Sequence, residues 1–310
     1  MAQADRAQRT AVVVNPAKVD DLAELRRVVD GELAAAGWPA PRWYETTPED
    51  PGTGQTKQAL ADGAEVVFAA GGDGTVRTCL TALAGTGAAL AVLPAGTGNL
   101  LAANLGLPDD PRAGVKVVVE RGRRDLDVGV VEGEGFAVMA GMGLDARMLD
   151  DASEQLKARV GPLAYVWSAL GNLLGRVMDV RLRLDGGPPL HRRARSVIVG
   201  NVGRLQGGVR LLPDAVPDDG MFDVAVIAPG NLGHWAALAW GVLRRHDRVP
   251  SLEVLRARHV VLEARRPEPR QLDGDVIAPG LSMEITIRSG ALILCVPQPE
   301  ESSDLAEGHP

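Results

Sequence analysis

The sequence predicts an N-terminal doubly wound α/β domain followed by a C-terminal β-sandwich domain. Three observations carry this expectation. Up to about residue 130, short apolar β-branched runs alternate with stretches of helical periodicity, as in a parallel sheet covered by helices. Beyond that point, strand-like runs follow one another with turn residues between most of them, as in a sandwich or barrel. The 310 residues are also enough for two separate cores. The expected boundaries are 1–130 for the α/β domain and 131–297 for the sandwich. The last strands of the sandwich segment are free to return to the first domain. Residues 298–310 are acidic and polar and read as a disordered tail.

Thr10 to Val14 is a β-branched run ended by Asn15-Pro16 and reads as the first parallel strand. From Asp20 to Ala36, Leu22, Leu25, Val28, Val29 and Leu33 fall at helical spacing. Asp20 or Asp21 is placed to cap this helix and Gly37 to end it. A second strand is expected near Trp43-Tyr44, and Gln55 to Asp62 reads as a helix closed by Gly63. Strand 65–70, helix 75–84, strand 89–93 and helix 99–105 follow. Pro108 to Arg121 gives another helix and Arg124 to Val131 another strand. In the second half, strands are expected at Phe136–Ala140, Val180–Leu184, Ser196–Gly200, Phe222–Ala228, His259–Glu263 and Met283–Ile287. Helical insertions are expected at Ser153–Met178 and Asn231–Arg245.

Composition excludes some function classes. The net charge of −7 argues against nonspecific nucleic-acid binding, which needs a basic face. Thr78 to Pro108 has no charged residue, but its glycines and Pro94 break it too often for a membrane-spanning helix. Met1 to Thr10 has no apolar signal-peptide core, so a cytoplasmic location is expected. Cys79 and Cys295 stand alone in apolar runs and read as buried free thiols.

Two glycine turns carry the chemistry. Gly71-Gly72-Asp73-Gly74-Thr75 follows the run Val66 to Ala70, and Pro94-Ala95-Gly96-Thr97-Gly98-Asn99 follows Leu90 to Leu93. A strand, a glycine turn and a helix in that order aim backbone N–H groups and a helix N-terminus at an anion. Neither turn is a Walker A loop, and the second lacks the third glycine of a dinucleotide fingerprint. Glycines after strands also serve as plain tight turns. Two such turns, carrying Asp73, Thr75 and Thr97, favour a phosphate site. Asp73 beside phosphates favours a metal–nucleotide site, because a bare carboxylate there repels them. Thr75 and Thr97 are placed to cap the following helices.

The second turn and its helix, Leu93 to Ala102, resemble the corresponding segment of the diacylglycerol kinase catalytic family. Other segments fall in the same order: Asn15-Pro16, Gly71 to Thr75, Asp127-Val128-Gly129, Gly141 to Ala146, and Pro213-Asp214-Ala215 with Asp218 to Val224. Leu272-Asp273-Gly274-Asp275 comes last, and the resemblance covers roughly residues 10–297. It implies a bacterial soluble lipid kinase that transfers the γ-phosphoryl group of ATP to a lipid hydroxyl, diacylglycerol first, using Mg²⁺. It also implies an active site in the cleft between the two domains. By position, Asn15, Gly71, Gly72, Asp73, Gly74, Thr75, Gly96 and Thr97 fall at the nucleotide. Asp73 and Asp127 fall in an acidic network linked to Mg²⁺. Asp219, with main-chain oxygens of Val216 and Met221, falls where relatives hold a structural Mg²⁺. Asp275 falls at the general base, with Asp73 as the second catalytic carboxylate. The implied partners are the lipid and a peripheral contact with the inner membrane face, with no nucleic acid. A homodimer is left open.

Two departures stand out. Leu100 occupies a position where many relatives carry Asp, and Asp275 stands where the family often has Glu. Asp275 also reads as a plain turn aspartate, and Asp218-Asp219-Gly220 as a plain hairpin turn. NAD kinases share the first glycine turn and give an alternative reading. A nucleotide- or lipid-binding protein that has lost catalysis gives another. Toward the lipid, Gln155 to Arg176 reads as a basic, partly aromatic helix, with Lys157, Arg159, Tyr165 and Trp167, suited either to an anionic surface or to ordinary packing. His191-Arg192-Arg193 with Arg195 reads as a solvated strand edge.

Overall fold

The structure is a computed structural model that describes residues 7–143, 177–204, 210–244 and 249–297. Of the expected helix Ser153–Met178, residues 153–176 lie outside the described residues, while Met178 begins a strand instead. The tail over 298–310, Leu144 to Ala146, Arg245 and His246 also lie outside them. The chain divides into two compact units. One comprises Met1–Val128 with Ser289–Pro310, the other Gly129–Arg288.

In the first unit, β1 (Thr10–Val14), β2 (Arg42–Glu45), β3 (Val66–Gly71) and β4 (Ala89–Pro94) are all parallel. Their spatial order is β4-β3-β1-β2. The chain runs outward from β1 to β2 and then crosses to β3, so the order reverses between β1 and β3. Ligands of doubly wound sheets bind at the carboxyl ends of the strands beside such a reversal. Every residue of β1 and β3 is buried, which is why both read as continuous apolar runs rather than alternating ones.

Helix α1 (Leu22–Ala35) is capped by the Asp21 carboxylate, which accepts from the Glu24 N–H at 2.8 Å. It buries Leu25, Val28, Val29 and Leu33 in a core with Val12, Val14 and Phe68. Gly37 follows with φ +75°, the left-handed residue that ends the helix. Helices α2 (Thr53–Ala61), α3 (Asp73–Leu83), α4 (Leu100–Asn104) and α5 (Pro111–Val119) complete the layers. The end of β14 (Asp275–Cys295) returns to this unit, pairing Ile293 with Ala89 and Leu294 with Leu90 in parallel.

Cys79 and Cys295 are both free and buried, and burial pushes each thiol up to about 12. A thiol must ionise to react. The native protein is therefore expected to give no rapid reaction with a thiol reagent at pH 8. Unfolding in guanidinium should release two equivalents, and one fast native equivalent would contradict the burial.

The second unit is antiparallel. β5 (Arg123–Val131) turns into β6 (Glu134–Phe136) through Glu132 and Gly133, both at positive φ. β7 (Met139–Met142), β10 (Ser196–Gly200), β11 (Phe222–Ile227) and β12 (Leu252–Ala257) form one run of the sheet in the order β12-β11-β10-β7-β13. β8 (Met178–Leu184) and β9 (Leu190–Ala194) extend from the other half of β13 (His259–Leu272). The first half of β13 pairs with β8 and its last three residues pair with β7. Its register against β14 shifts between Glu263 and Arg270, around Pro267 and Pro269, which cannot donate to a ladder. The strand thus pairs with β8 before the irregularity and with β7 after it, within one continuous sheet, and a bulge of this kind bends a strand.

The sequence reading breaks this region into short strands at His259–Glu263 and Met283–Ile287. The structure instead has continuous strands of 14 and 21 residues, because the bulge absorbs the prolines. The expected strand at 136–140 is likewise divided into β6 and β7. Phe136 and Phe222 stack with centroids 5.7 Å apart inside a core that includes Val199, Leu262 and Ile285. β9 is an edge strand, as expected for its basic residues. Arg192 on β9 holds Glu253 on β12 through two bonds of 2.7 and 2.8 Å. Helix α6 (Leu232–Leu243) is capped by Asn231. Among the described residues no helix is long and apolar enough to cross a membrane.

Candidate active site

In the first unit the two glycine turns touch. β3 and β4 are in register with Gly71 beside Pro94, and the Ala95 N–H donates to the Gly71 carbonyl at 2.9 Å. This register carries the next residues together: a Cβ added to Gly96 would lie 2.7 Å from the Gly72 Cα. Gly71 is needed for a different reason. Its absent Cβ leaves room for Thr75, whose Oγ1 would lie 2.7 Å from it. The glycines thus serve the packing of turn on turn and of turn on helix.

The expected caps are corrected. Gly72 is the N-cap of α3, with no side-chain cap, and Thr75 lies inside the first turn. The Thr75 hydroxyl is buried, and Asn15 Nδ2 donates to it at 3.4 Å. Thr97 is exposed in the loop and is not the cap of α4. That position belongs to Asn99, which is left-handed at φ 44° and turns its side chain back onto Gly96. The N–H of Leu100, at the start of α4, donates at 2.6 Å to Asp73 Oδ1 on the first turn. Asp73 therefore supplies the negative charge that this helix start favours and ties one turn to the other.

Asn15 follows β1 at the strand-order reversal. Its Oδ1 accepts from the Ala17 N–H at 3.0 Å, and its backbone N–H donates to the Ala70 carbonyl at 2.9 Å. Lys18 is exposed and donates its backbone N–H to the Asn15 carbonyl. Asp127, on β5, is buried, and Gly290 donates to its Oδ1 at 2.8 Å. The first-turn amides of α3 are thus left without a side-chain cap at the carboxyl end of β3, beside the reversal. This is the geometry in which helix starts hold phosphate.

Gly96→Ala should drive a methyl group into the Gly72 backbone, which cannot move aside as a side chain can. A loss of about 1–3 kcal/mol in stability is expected, with weakened nucleotide binding. Thermal melting and a nucleotide titration check both, and an unperturbed variant would mean that the turns do not touch.

In the second unit, Asp273 and Gly274 form a two-residue hairpin turn between β13 and β14, at φ +47° and +91°, with Leu272 opposite Asp275. Asp-Gly suits this turn type because both central residues need positive φ. Asp275 is the first residue of β14 and is half-buried. Asp273, given no role by sequence reasoning, is only 5% exposed and accepts three backbone N–H bonds. Ala137 donates at 3.0 Å, Val138 at 2.9 Å and Met139 at 2.8 Å. The Asp-Gly pair signals the turn in the sequence. Nothing local signals the three amides, which come from a distant loop.

Asp219 lies in the connection between β10 and β11. This connection is far longer than a hairpin, so Asp218-Asp219-Gly220 is not the hairpin turn of the sequence reading but a local turn within the connection, with Gly220 at φ +73°. Asp219 Oδ1 accepts from the Met221 N–H at 2.9 Å, and Oδ2 pairs with Arg256 Nη2. Asp223 is buried, and burial raises its carboxyl above the ordinary value. Arg256 opposes that shift, while Asp219 and Asp214 add to it. An acid whose folded value is raised binds its proton better when folded. Its charge therefore weighs on stability above that value, and the burden lifts as pH falls through it. The donor set at Asp219 does not fit a resident Mg²⁺, because both carboxylate oxygens are engaged by protein donors and one of these is a guanidinium. Among the described residues no group of three His, Cys, Asp or Glu side chains is arranged to hold a metal. Asp73 and Asp127 are carboxylates of the kind that Mg²⁺ uses together with substrate phosphates, and each accepts a backbone N–H, from Leu100 and from Gly290.

Residues 9–131 match the model of the diacylglycerol kinase catalytic domain, and residues 138–296 match that of the YegS C-terminal NAD kinase beta sandwich-like domain. The "Probable lipid kinase YegS-like" of Pseudomonas aeruginosa (strain UCBPP-PA14) is 33% identical over 256 residues, covering 78% of this chain and 80% of that protein. This chain belongs to the diacylglycerol kinase catalytic-domain family. It is a lipid kinase, a phosphotransferase. The diacylglycerol kinase of Bacillus subtilis is 29% identical over 237 residues, 75% of this chain and 78% of its own.

Among solved structures, a diacylglycerol kinase from Bacillus anthracis shares the fold at a TM-score of 0.74 and 22% identity, covering 95% of this chain and 98% of that one. An NAD kinase from Archaeoglobus fulgidus shares it more distantly, at a TM-score of 0.55 and 14% identity over 96% and 98%. Leu100 is the departure that the sequence resemblance singles out in this lipid kinase. The Leu100 side chain is buried in the core and its N–H is held by Asp73. Packing thus occupies the position at which the family resemblance leads to the expectation of a carboxylate.

Proposed function

We propose that this lipid kinase transfers the γ-phosphoryl group of ATP to the hydroxyl of diacylglycerol. The observation that carries the reading is the contact between the two glycine turns beside the uncapped start of α3. In this reading the first-turn amides of Gly74 and Thr75 receive phosphate oxygens, and Asn15 borders the nucleotide. Gly71, Gly72, Gly96 and Thr97 shape the loop around it. Asp73 and Asp127 would hold Mg²⁺, which supplies charge neutralisation at the β- and γ-phosphates. Asp275 takes the proton of the lipid hydroxyl. The oxygen then forms its bond to the γ-phosphorus as the bond to the ADP oxygen breaks. Because phosphoryl transfer demands mostly positioning and charge, a shorter Asp in place of Glu serves if it comes within about 2.6–3.2 Å of that proton or reaches it through one water.

The acceptor is dissolved in a bilayer, so the reading includes peripheral contact with the membrane face that meets cytoplasmic ATP. A second reading, phosphorylation of NAD, draws on the shared fold of the Archaeoglobus fulgidus protein, solved in complex with ATP. Labelled ATP offered with diacylglycerol, monoacylglycerol, sphingoid bases, isoprenoid alcohols and NAD separates the two. Label in phosphatidic acid is the expected result. Label in NADP alone, or ATP binding without turnover across the panel, would overturn it.

A further inference from the structure

We infer that Arg256 is the fixed counter-ion of the acidic stretch that leads into β11, carrying Asp219 and Asp223, and that this stretch folds without a bound divalent ion. Relatives are expected to hold Mg²⁺ at the position of Asp219, but in this chain a guanidinium occupies the acid instead. The register of β11 and β12 sets Asp223 directly opposite Arg256. From that point Arg256 Nη2 pairs with Asp219 Oδ2, and Arg256 Nε lies 3.8 Å from Asp223 Oδ1. The remaining oxygen of Asp219 is taken by the Met221 N–H. A metal ligand must offer a lone pair to the ion, and an ion at Asp219 would have to displace a like-charged group held there by its own strand.

The buried acid strengthens the case. The Asp223 side chain is 5% exposed, and its Oδ2 has no hydrogen-bond partner. A buried carboxylate in that state depends on nearby positive charge, and Arg256 brings it. Arginine stays charged at any working pH and does not dissociate from the fold. Asp219 and Asp223 therefore meet a permanent cation on the neighbouring strand. The inference is independent of the catalytic reading, since its test uses neither nucleotide nor lipid.

Thermal melts of the full chain are compared in EDTA and in millimolar MgCl₂. Wild type is expected to shift by less than about 1 °C between the two, whereas Arg256→Met should melt about 4 °C or more lower. Mg²⁺ should restore part of that loss, because the freed carboxylate can then take an ion. Adding Asp219→Asn to Arg256→Met should abolish the restoration. A saturable Mg²⁺ stabilisation of wild type that Asp219→Asn removes would overturn the inference. So would an Arg256→Met protein that melts like wild type and ignores Mg²⁺. If Arg256→Met does not fold, Arg256→Lys keeps the charge and replaces it in the series. It is expected to melt no higher than wild type and, like wild type, to show no Mg²⁺ response, and a response that Asp219→Asn removes would count against the inference.

Discussion

Replacing Asp273 by alanine is expected to cost about 4 kcal/mol of folding stability, because three backbone N–H groups lose a charged acceptor at once and each orphaned donor costs about 1–3 kcal/mol. The amides of Ala137, Val138 and Met139 have no substitute acceptor in the Ala variant, and water must enter the β6–β7 loop to reach them. Domains are stable by only about 5–15 kcal/mol, so this one substitution removes a large share. Two companions separate the causes. Asp273→Gly keeps the positive φ without strain yet loses the carboxylate. Its loss should fall short of the alanine loss by only about 1 kcal/mol. Asp273→Asn tolerates the same backbone and keeps one acceptor oxygen, so it should lose least. Urea titrations of the three variants check the order, and an alanine variant within 1 kcal/mol of wild type would refute the anchoring role. Because Asp275 follows the same two-residue turn, kinase activity should fall with stability in this series.

Asp73→Asn is expected to reduce phosphoryl transfer by at least about a hundredfold while leaving the fold intact, a loss comparable to removing a single transition-state stabiliser. Asparagine still offers an oxygen to the Leu100 N–H, so the tie between the turns survives. What disappears is the negative charge that the proposed Mg²⁺ requires. Asp73→Ala removes both the charge and the tie, and should add a fall in melting temperature to the loss of activity. The pair therefore distinguishes charge from architecture. An Asp73→Asn protein that keeps a third of its activity would remove this carboxylate from the proposed chemistry. Wild type without turnover on any lipid would favour a protein that binds nucleotide and has lost catalysis.

The sequence by itself determined those features that depend on neighbours within a few residues. The buried strands β1, β3 and β4 are legible as apolar runs because a parallel sheet covered on both faces needs no alternation. The cap at Asp21 and the left-handed Gly37 are legible because helix ends have fixed local chemistry. The Asp273-Gly274 turn is legible for the same reason. The family resemblance, resting on the order of motifs rather than on any contact, placed most of the candidate residues. What local pattern misread was β13, where Pro267 and Pro269 look like a strand end. A register irregularity carries the strand through them to its pairing with β7.

Only the tertiary structure decided which of these residues act together. The register of β3 against β4 brings Gly72 onto Gly96 and Asp73 to the amide of Leu100. The sandwich core delivers three amides to Asp273, and the pairing of β11 with β12 sets Arg256 against Asp219 and Asp223. Each of these contacts joins residues far apart in the chain. They depend on strand register, and a shift of one residue would reverse every side chain involved. Periodicity tells which face of a strand is buried, but not which residue of a distant strand stands opposite, because the packing of the whole sheet fixes that collectively.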